Sequence, residues 1–307
     1  MNAPEESAAG EATSVEAQIR RLGAVFDEDV LKATYALYVP LQERAPKAVL
    51  SIHRDLAYGP DDRHRLDVFV PERPAEEPAP VVVFFHGGGY IGGERSPVPG
   101  LIYDNVPTFF ARHRLVGVNA TYRLAPAHQW PSGGEDVGRV VSWLHENIRA
   151  YGGDPARIVL VGHSAGATHV ATWTFMEPVH GAGGPRIAAA VLISGVYAAL
   201  HPRYSDAKPR DNQFAYYGHD ATRWSAMAPF DHVKPGHPPV FVVASDHEPY
   251  HFAWPTVALL ESIVKADRRM PAFRVLRNHN HISSALQINS AIDTLGPDIL
   301  AFIRGIA

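Results

Sequence analysis

The chain has 307 residues, of which 46% are hydrophobic and 20% charged, and its formal net charge at pH 7 is −4. These values are ordinary for a globular protein with a sizeable core, and the lack of a basic excess argues against nucleic acid or an anionic membrane surface as the main partner. There is no cysteine, which excludes disulfides, thiolate metal sites and cysteine nucleophiles.

The N-terminal region predicts a polar tail followed by helix. Residues 1–13 are small, polar and acidic, and we expect them to be disordered. They contain no apolar segment of the kind found in signal peptides, and no apolar run in the chain is long enough to span a bilayer, which favours a cytoplasmic protein. From Ser14 to about Leu41 apolar residues recur at helical spacing, with Asp27 as a candidate N-cap.

Strands and helices then alternate along most of the chain. Two strands joined by a turn are predicted in VLSIHRDLAYGPDDRHRLDVFVPE. Further strands, with helices between most of them, are predicted at PVVVFF, LVGVNATY, RIVLVG, IAAAVLIS, PPVFVVAS and AFRVLRN. Because these runs are continuously apolar, they favour parallel strands that are buried on both faces. The pattern predicts a single α/β domain over residues 1–307, built on one open, doubly wound and mostly parallel sheet.

Two regions do not fit this alternation. An irregular insert begins at residue 197, and we expect residues 197–235, together with the helices of about 14–45, to form a small helical cap over the carboxyl edge of the sheet. We expect the segment YRLAP, with Arg123 and the later Glu135 and Asp136, to lock the loop beneath that edge, in preference to a direct role in substrate binding.

The sequence GHSAG lies between a predicted strand and a predicted helix. In this context the pattern is typical of a nucleophile elbow, a strained turn that exposes a serine hydroxyl, here that of Ser164. Small residues are needed on both sides because the turn brings the backbone close to the neighbouring strand and helix.

A serine nucleophile needs a base, which in turn is oriented by an acid. With this elbow the chain order is serine, acid, histidine. The histidine should follow the last strand, where we favour His281 over His279 because His281 precedes the turn into the final helix. The acid should follow the preceding strand, where Asp246 and Glu248 are both candidates.

A carbonyl attacked by serine becomes an oxyanion, which needs preorganised hydrogen-bond donors. Backbone N–H groups from a loop after an early strand, and that of the residue after the serine, serve this role. The loop HGGGY and the elbow therefore predict Gly88, Gly89 and Ala165 as donors. A phosphate-binding loop is not favoured, because neither G-x-G-x-x-G nor a following lysine is present.

Together, HGGGY, YRLAPAHQWPSGGEDV, GGDPARIVLVGHSAGA, DHEP and HNHIS resemble the α/β-hydrolase esterases of the hormone-sensitive-lipase type, from about Pro80 to the C-terminus. The resemblance implies the α/β-hydrolase fold, donors at Gly88 and Gly89, and Glu248 as the acid with Asp246 in reserve. His163 stands where this family often has aspartate, and GHSAGA is closer to the arylformamidase-like and carboxylesterase branches.

The sequence thus predicts a serine hydrolase of short to medium acyl or aryl esters that uses Ser164, His281 and Glu248. A formamide hydrolase with the same machinery and a non-catalytic ligand-binding relative remain alternatives. We expect a small apolar ester as substrate and no metal or other cofactor, since H-E-x-x-H is absent. A homodimer is compatible with the sequence. Aromatic residues that are candidates for an apolar pocket are Tyr90, Trp130, Tyr216, Tyr217, Phe252 and Trp254.

Overall fold

The computed structural model describes residues 3–49, 51–72, 77–198, 200–201 and 210–306. Its strands are β1 (Ser51–Ala57), β2 (Arg65–Val70), β3 (Ala79–Phe85), β4 (Val116–Ala120), β5 (Gly153–His163), β6 (Ala189–Ile193), β7 (Val240–His247) and β8 (Ala272–Asn280). Its helices are α1 (Ala3–Leu22), α2 (Glu28–Arg44), α3 (Asn105–Arg112), α4 (Ser132–Asn147), α5 (Ala165–Phe175), α6 (Glu177–His180), α7 (Asp211–Tyr217), α8 (Tyr250–Asp267), α9 (Ser283–Leu286) and α10 (Leu295–Gly305).

Within the described residues the strands form one sheet in the order β1-β2-β4-β3-β5-β6-β7-β8. Strands β1 and β2 are antiparallel to their neighbours, and the strands from β4 to β8 run parallel. The predicted mostly parallel sheet is therefore confirmed.

The central strand β3 explains why its sequence is apolar at every position. Val81, Val83 and Phe85 pack into one core cluster, whereas Val82 and Phe84 pack into a second cluster. Because successive side chains of a strand point to opposite faces, both faces of the sheet are covered, as in a doubly wound fold.

The parallel register places the ends of several strands at one edge of the sheet. Phe85 at the end of β3 pairs with Gly162 of β5, and His163 pairs with Ile193 of β6. The loops that follow β3, β5, β7 and β8 therefore start near one another, and these loops carry the predicted site residues.

The N-terminal region differs from the prediction. Helix α1 begins at Ala3, so residues 3–13 are helical rather than disordered, and residues 1–2 lie outside the described part. Alanine and glutamate, which dominate this stretch, are strong helix formers. Val15 and Ile19 of the same helix are buried in the second core cluster and anchor it. The predicted N-cap is confirmed, since Asp27 accepts a 2.8 Å hydrogen bond from the Val30 N–H.

Part of the insert predicted as a cap lies outside the described residues, namely 199 and 202–209. The remainder contains α7 and two 3₁₀ segments, Ala221–Met227 and Pro229–His232. Among the described helices, none combines the length and the apolar character needed to cross a membrane.

Candidate active site

Ser164 occupies the sharp turn between β5 and α5. Its backbone has φ 56° and ψ −121°, a strained conformation for a residue with a side chain, and such strain typically costs about 1–3 kcal/mol. A Cβ atom on Gly162 would lie 2.5 Å from the Gly166 carbonyl oxygen, and one on Gly166 would lie 2.2 Å from that of Phe85. Both glycines are therefore required by the turn that presents the serine.

The structure brings the serine together with the histidine and the acid named from the sequence. His281 follows β8, and its Nε2 lies 2.9 Å from Ser164 Oγ. Its Nδ1 lies 3.2 Å from Oε1 of Glu248, the residue that follows β7. Asp246, the reserve candidate, instead accepts a 3.2 Å hydrogen bond from the backbone N–H of His279.

His279 lies close in sequence to the candidate base but contacts different groups. Its Nδ1 lies 3.0 Å from Ser283 Oγ, within the turn that leads into α9. The same turn is closed by Asn280, whose Oδ1 accepts from the N–H groups of Ile282 and Ser283. This turn fixes the position of His281, the first residue after β8.

The histidine and the acid are both buried, and burial opposes charge on each of them. Burial lowers the pKa of His281 to about 3, with a smaller contribution from the Arg210 cation. Burial raises the pKa of Glu248 to about 7. The two groups therefore titrate as a coupled pair, in which the first proton taken up belongs to the pair rather than to one residue.

Aromatic side chains fix the plane of the His281 imidazole. The ring of Phe252 in α8 stacks on it at a centroid distance of 3.7 Å and an interplanar angle of 22°. The ring of Phe26, between α1 and α2, meets it edge-on at 4.7 Å. Phe26 could not be identified from the sequence, because no local pattern links it to a residue near the other end of the chain.

His163 also holds the candidate base, and this role was missed as well. Its Nε2 lies 2.9 Å from the backbone carbonyl oxygen of His281, and its Nδ1 lies 3.2 Å from the Tyr103 hydroxyl. Burial lowers the pKa of His163 to about 3, so the imidazole is neutral. It donates from Nε2 to the carbonyl and accepts at Nδ1 from Tyr103. The sequence did offer one indication of this role, since His163 stands where the family it resembles often has aspartate.

The glycine loop after β3 lies directly against the serine. A Cβ on Gly87 would be 3.1 Å from Ser164 Cβ, and Gly88 and Gly89 have positive φ values of 143° and 58°. Among the described residues, no acceptor receives a hydrogen bond from the N–H groups of Gly88 or Gly89. As the first residue of α5, Ala165 also has an N–H without an intrahelical partner. These three groups are available to a ligand atom near Ser164.

The structure explains why the loop has glycine at positions 92 and 93. Gly93 has φ 95°, and a Cβ there would lie 2.2 Å from the Gly87 carbonyl oxygen. The Gly92 N–H donates to the Gly88 carbonyl at 3.1 Å, which closes the loop on itself. Asn212 also donates to the Gly89 carbonyl at 2.9 Å, so the insert contacts the loop.

A cluster of aromatic side chains lies next to Ala165. The rings of Tyr90 and Tyr216 stack at 4.5 Å with an interplanar angle of 4°. These two rings pack with Ala165 and three further side chains. We use the name aromatic cluster for Tyr90, Tyr216, Tyr217, Trp224 and Met227. Trp130 packs against it, whereas Trp254 belongs to the main core.

Arg123 of the YRLAP segment forms ion pairs with both acidic residues named with it in the sequence. Arg123 Nε donates to Asp136 Oδ1 at 2.9 Å, and Arg123 Nη2 lies 3.2 Å from Glu135 Oε2. Asp136 is fully buried and also contacts His64 Nε2 at 3.0 Å. In the described part of the chain, no group of three or more histidine, aspartate or glutamate side chains is arranged to hold a metal ion.

Comparison with known proteins agrees with this architecture. The family described as alpha/beta hydrolase fold matches residues 82–272. The chain is 27% identical to carboxylesterase NlhH of Mycobacterium tuberculosis over 249 residues, and this match covers 74% of each chain. It is 28% identical over 169 residues to the gibberellin receptor GID1 of Oryza sativa subsp. japonica, covering 53% of this chain and 45% of the receptor. It is 35% identical over 122 residues to esterase LipI of M. tuberculosis, covering 38% of this chain and 35% of LipI.

The chain thus spans less than half the length of two of these three relatives. Among solved structures, an arylesterase superposes with a TM-score of 0.71 at 16% identity and covers 97% of this chain and 98% of its own. Esterase B from Lactobacillus rhamnosis superposes with a TM-score of 0.69 at 17% identity, covering 97% and 95%. The resemblance inferred from the motifs is confirmed for the family, and the chain belongs to the proteins of the alpha/beta hydrolase fold.

Proposed function

We propose that this protein is a serine hydrolase of carboxylic esters. The observation that carries the proposal is the continuous hydrogen-bonded chain from Ser164 Oγ to His281 Nε2, at 2.9 Å, and from His281 Nδ1 to Glu248 Oε1, at 3.2 Å. Serine, histidine and a buried carboxylate in this order form the arrangement that activates a hydroxyl for acyl transfer.

The reaction would proceed in two halves. His281 Nε2 takes the proton of Ser164 as its oxygen attacks the ester carbonyl, and then gives that proton to the departing alcohol. Glu248 orients the imidazole and stabilises its charged form. Water, activated by the same histidine, then releases the acid from the acyl-enzyme.

The developing negative charge on the carbonyl oxygen needs donors that are already in place. The N–H groups of Gly88, Gly89 and Ala165 fit this role, because their loop and helix terminus adjoin Ser164 and the two glycine N–H groups have no acceptor among the described residues. One such donor typically lowers the barrier by about 3 kcal/mol.

The relatives named carboxylesterase and esterase support ester hydrolysis. The aromatic cluster beside Ala165 supports an apolar acyl or aryl portion in the substrate. We further propose that the insert forms part of a cap over this cluster within a single domain, since Asn212 and Tyr216 contact the glycine loop and Tyr90.

The gibberellin receptor among the relatives raises a second function, ligand binding without turnover. The hydrogen-bonded Ser164–His281–Glu248 chain favours hydrolysis over that reading, because binding alone does not require an activated nucleophile.

The test is turnover of short-chain p-nitrophenyl esters by wild type, Ser164→Ala and the control variant Ser142→Ala, which changes an exposed serine of α4. We expect loss of turnover only in Ser164→Ala, with an unchanged melting temperature. Labelling by a fluorophosphonate should depend on Ser164 in the same way. Turnover that persists in Ser164→Ala would refute the assignment, and a formanilide of similar size assays the amide reaction in parallel.

A further inference from the structure

Arg210, an exposed residue immediately before α7, is separated from the candidate base by one aromatic ring. Its guanidinium is positioned over the ring of Phe26, with Cζ 5.8 Å from the ring centroid. The same Phe26 ring packs edge-on against the His281 imidazole, with the two ring centroids 4.7 Å apart. A single aromatic ring therefore connects this cation to the histidine that acts on the ester.

The groups that hold Arg210 are all neutral. Its Nη1 donates to His251 Nε2 at 3.0 Å, and its Nη2 donates to the Phe26 carbonyl at 3.4 Å. Burial lowers the pKa of His251 to about 4, so this imidazole is uncharged. A guanidinium has five N–H groups, and most of those on Arg210 remain available to another acceptor.

No carboxylate neutralises Arg210 within the described ranges. The two acidic residues that follow Phe26 in the chain have other partners: Asp27 caps α2, and Glu28 pairs with Lys32 at 2.6 Å. By contrast, the arginines that support the loops are paired, as Arg54 is with Asp104 at 2.8 Å.

An unpaired cation in this place acts against the proposed reaction. Positive charge near His281 disfavours the imidazolium that must form when Ser164 loses its proton. An anion bound to Arg210 would cancel this effect and would form charge-assisted hydrogen bonds with the planar guanidinium. The site is therefore better suited to a substrate that supplies the missing negative charge.

We propose that Arg210 binds a carboxylate carried by the alcohol portion of the ester substrate. This inference rests on the proposed ester hydrolysis. The alcohol portion is assigned because His281 Nε2 returns its proton to the departing alcohol, and the Phe26 ring that contacts this imidazole also contacts Arg210. The aromatic cluster remains available for the acyl portion, so the expected apolar substrate is apolar only in part.

The experiment compares two esters of equal shape and different charge, para-acetoxybenzoate and para-acetoxybenzamide. The quantity measured is the ratio of their kcat/KM values, carboxylate over amide. We expect wild type to prefer the carboxylate, Arg210→Gln to lower the ratio about tenfold, and Arg210→Lys to retain part of it. Added salt should lower the ratio in wild type and leave it unchanged in Arg210→Gln.

The control is Arg223→Gln, which removes the same charge from an exposed position of the insert and should leave the ratio as in wild type. An Arg210→Gln ratio equal to that of wild type would overturn the inference. The monophenyl ester of succinate carries its carboxylate on the acyl portion instead. If only this ester shows a preference that depends on Arg210, the assignment of the carboxylate to the alcohol portion is wrong. If wild type hydrolyses neither acetate, the proposed function itself fails, whereas hydrolysis of the amide probe alone rejects only the carboxylate site.

Discussion

His163 Nε2 lies 2.9 Å from the backbone carbonyl oxygen of His281, so the residue before the candidate nucleophile holds the residue that would activate it. Because the carbonyl oxygen can only accept, the ring hydrogen of the neutral imidazole lies on Nε2, and the Tyr103 hydroxyl, 3.2 Å from Nδ1, donates to the other ring nitrogen. The elbow and the loop after β8 are thereby joined by a buried hydrogen bond.

His163→Ala should lower kcat by about 10-fold to 100-fold with little change in KM, because a displacement of about 1 Å at a reacting group can cost about 100-fold in rate. His163→Gln retains an N–H donor and should recover part of the loss. Steady-state kinetics on a p-nitrophenyl ester, together with the melting temperature, test this. A lower melting temperature with an unchanged kcat for the folded enzyme would limit His163 to a structural role.

The two acidic candidates can be separated by isosteric substitutions. Glu248→Gln should lower kcat by several orders of magnitude, up to about 10,000-fold as for a comparable triad acid, because the imidazole loses its orienting charge. Asp246→Asn should have an effect of less than about tenfold, since this side chain contacts the backbone of His279 rather than His281. A severe loss in the aspartate variant alone would reverse the assignment.

The pH dependence of kcat/KM should reflect the coupled pair. Burial raises the pKa of Glu248 to about 7, so the pair takes up a proton as the pH falls through about 7. A proton on His281 leaves its Nε2 unable to accept the serine proton, and a proton on Glu248 removes the negative charge that stabilises the imidazolium. We therefore expect activity to decline below pH 7.

The residual activity of Glu248→Gln provides the check on this interpretation. With the carboxyl removed, only His281 titrates in the pair, and burial lowers the pKa of this imidazole. The acid limb of the kcat/KM profile should move to a lower pH than in wild type. An acid limb at the same pH in both proteins would show that another group controls it.

The glycine loop can be tested at a position where the backbone admits no side chain. Gly88 has φ 143°, and a Cβ there would lie 2.0 Å from the Gly92 carbonyl oxygen. Gly88→Ala should therefore displace the proposed oxyanion donors and lower kcat by about 100-fold to 1,000-fold. Gly183→Ala is the matched control, because a Cβ at that exposed glycine has no atom within 4 Å. Equal kcat values for the two variants would argue against donors in this loop.

The fold was predictable from the sequence where local pattern determines the structure. β3 is apolar at successive positions because its side chains enter two different cores, and this run could be recognised without a structure. Ser164 and His281 could be named because a strand end and a chain order locate them. Glu248 could be separated from Asp246 only through the family resemblance, since both follow the same strand.

The contacts that support the site could not be predicted, because they depend on tertiary packing. The bond between His163 and His281 requires β5 and β8 to end at the same edge of the sheet, and the position of Phe26 requires α1 and α2 to pack beside β8. The need for glycine at position 93 is likewise visible only when the loop is closed and its Cα lies near the Gly87 carbonyl.

Phe26 connects the N-terminal region to the candidate base. Its ring contacts the imidazole of His281, and its carbonyl accepts from Arg210. A chain trimmed before α2 would keep every strand of the sheet and all three of Ser164, His281 and Glu248, yet water would reach the imidazole from that side. Changes in this first segment would therefore alter the surroundings of the imidazole, and with them its proton affinity, while the arrangement of Ser164, His281 and Glu248 stays constant.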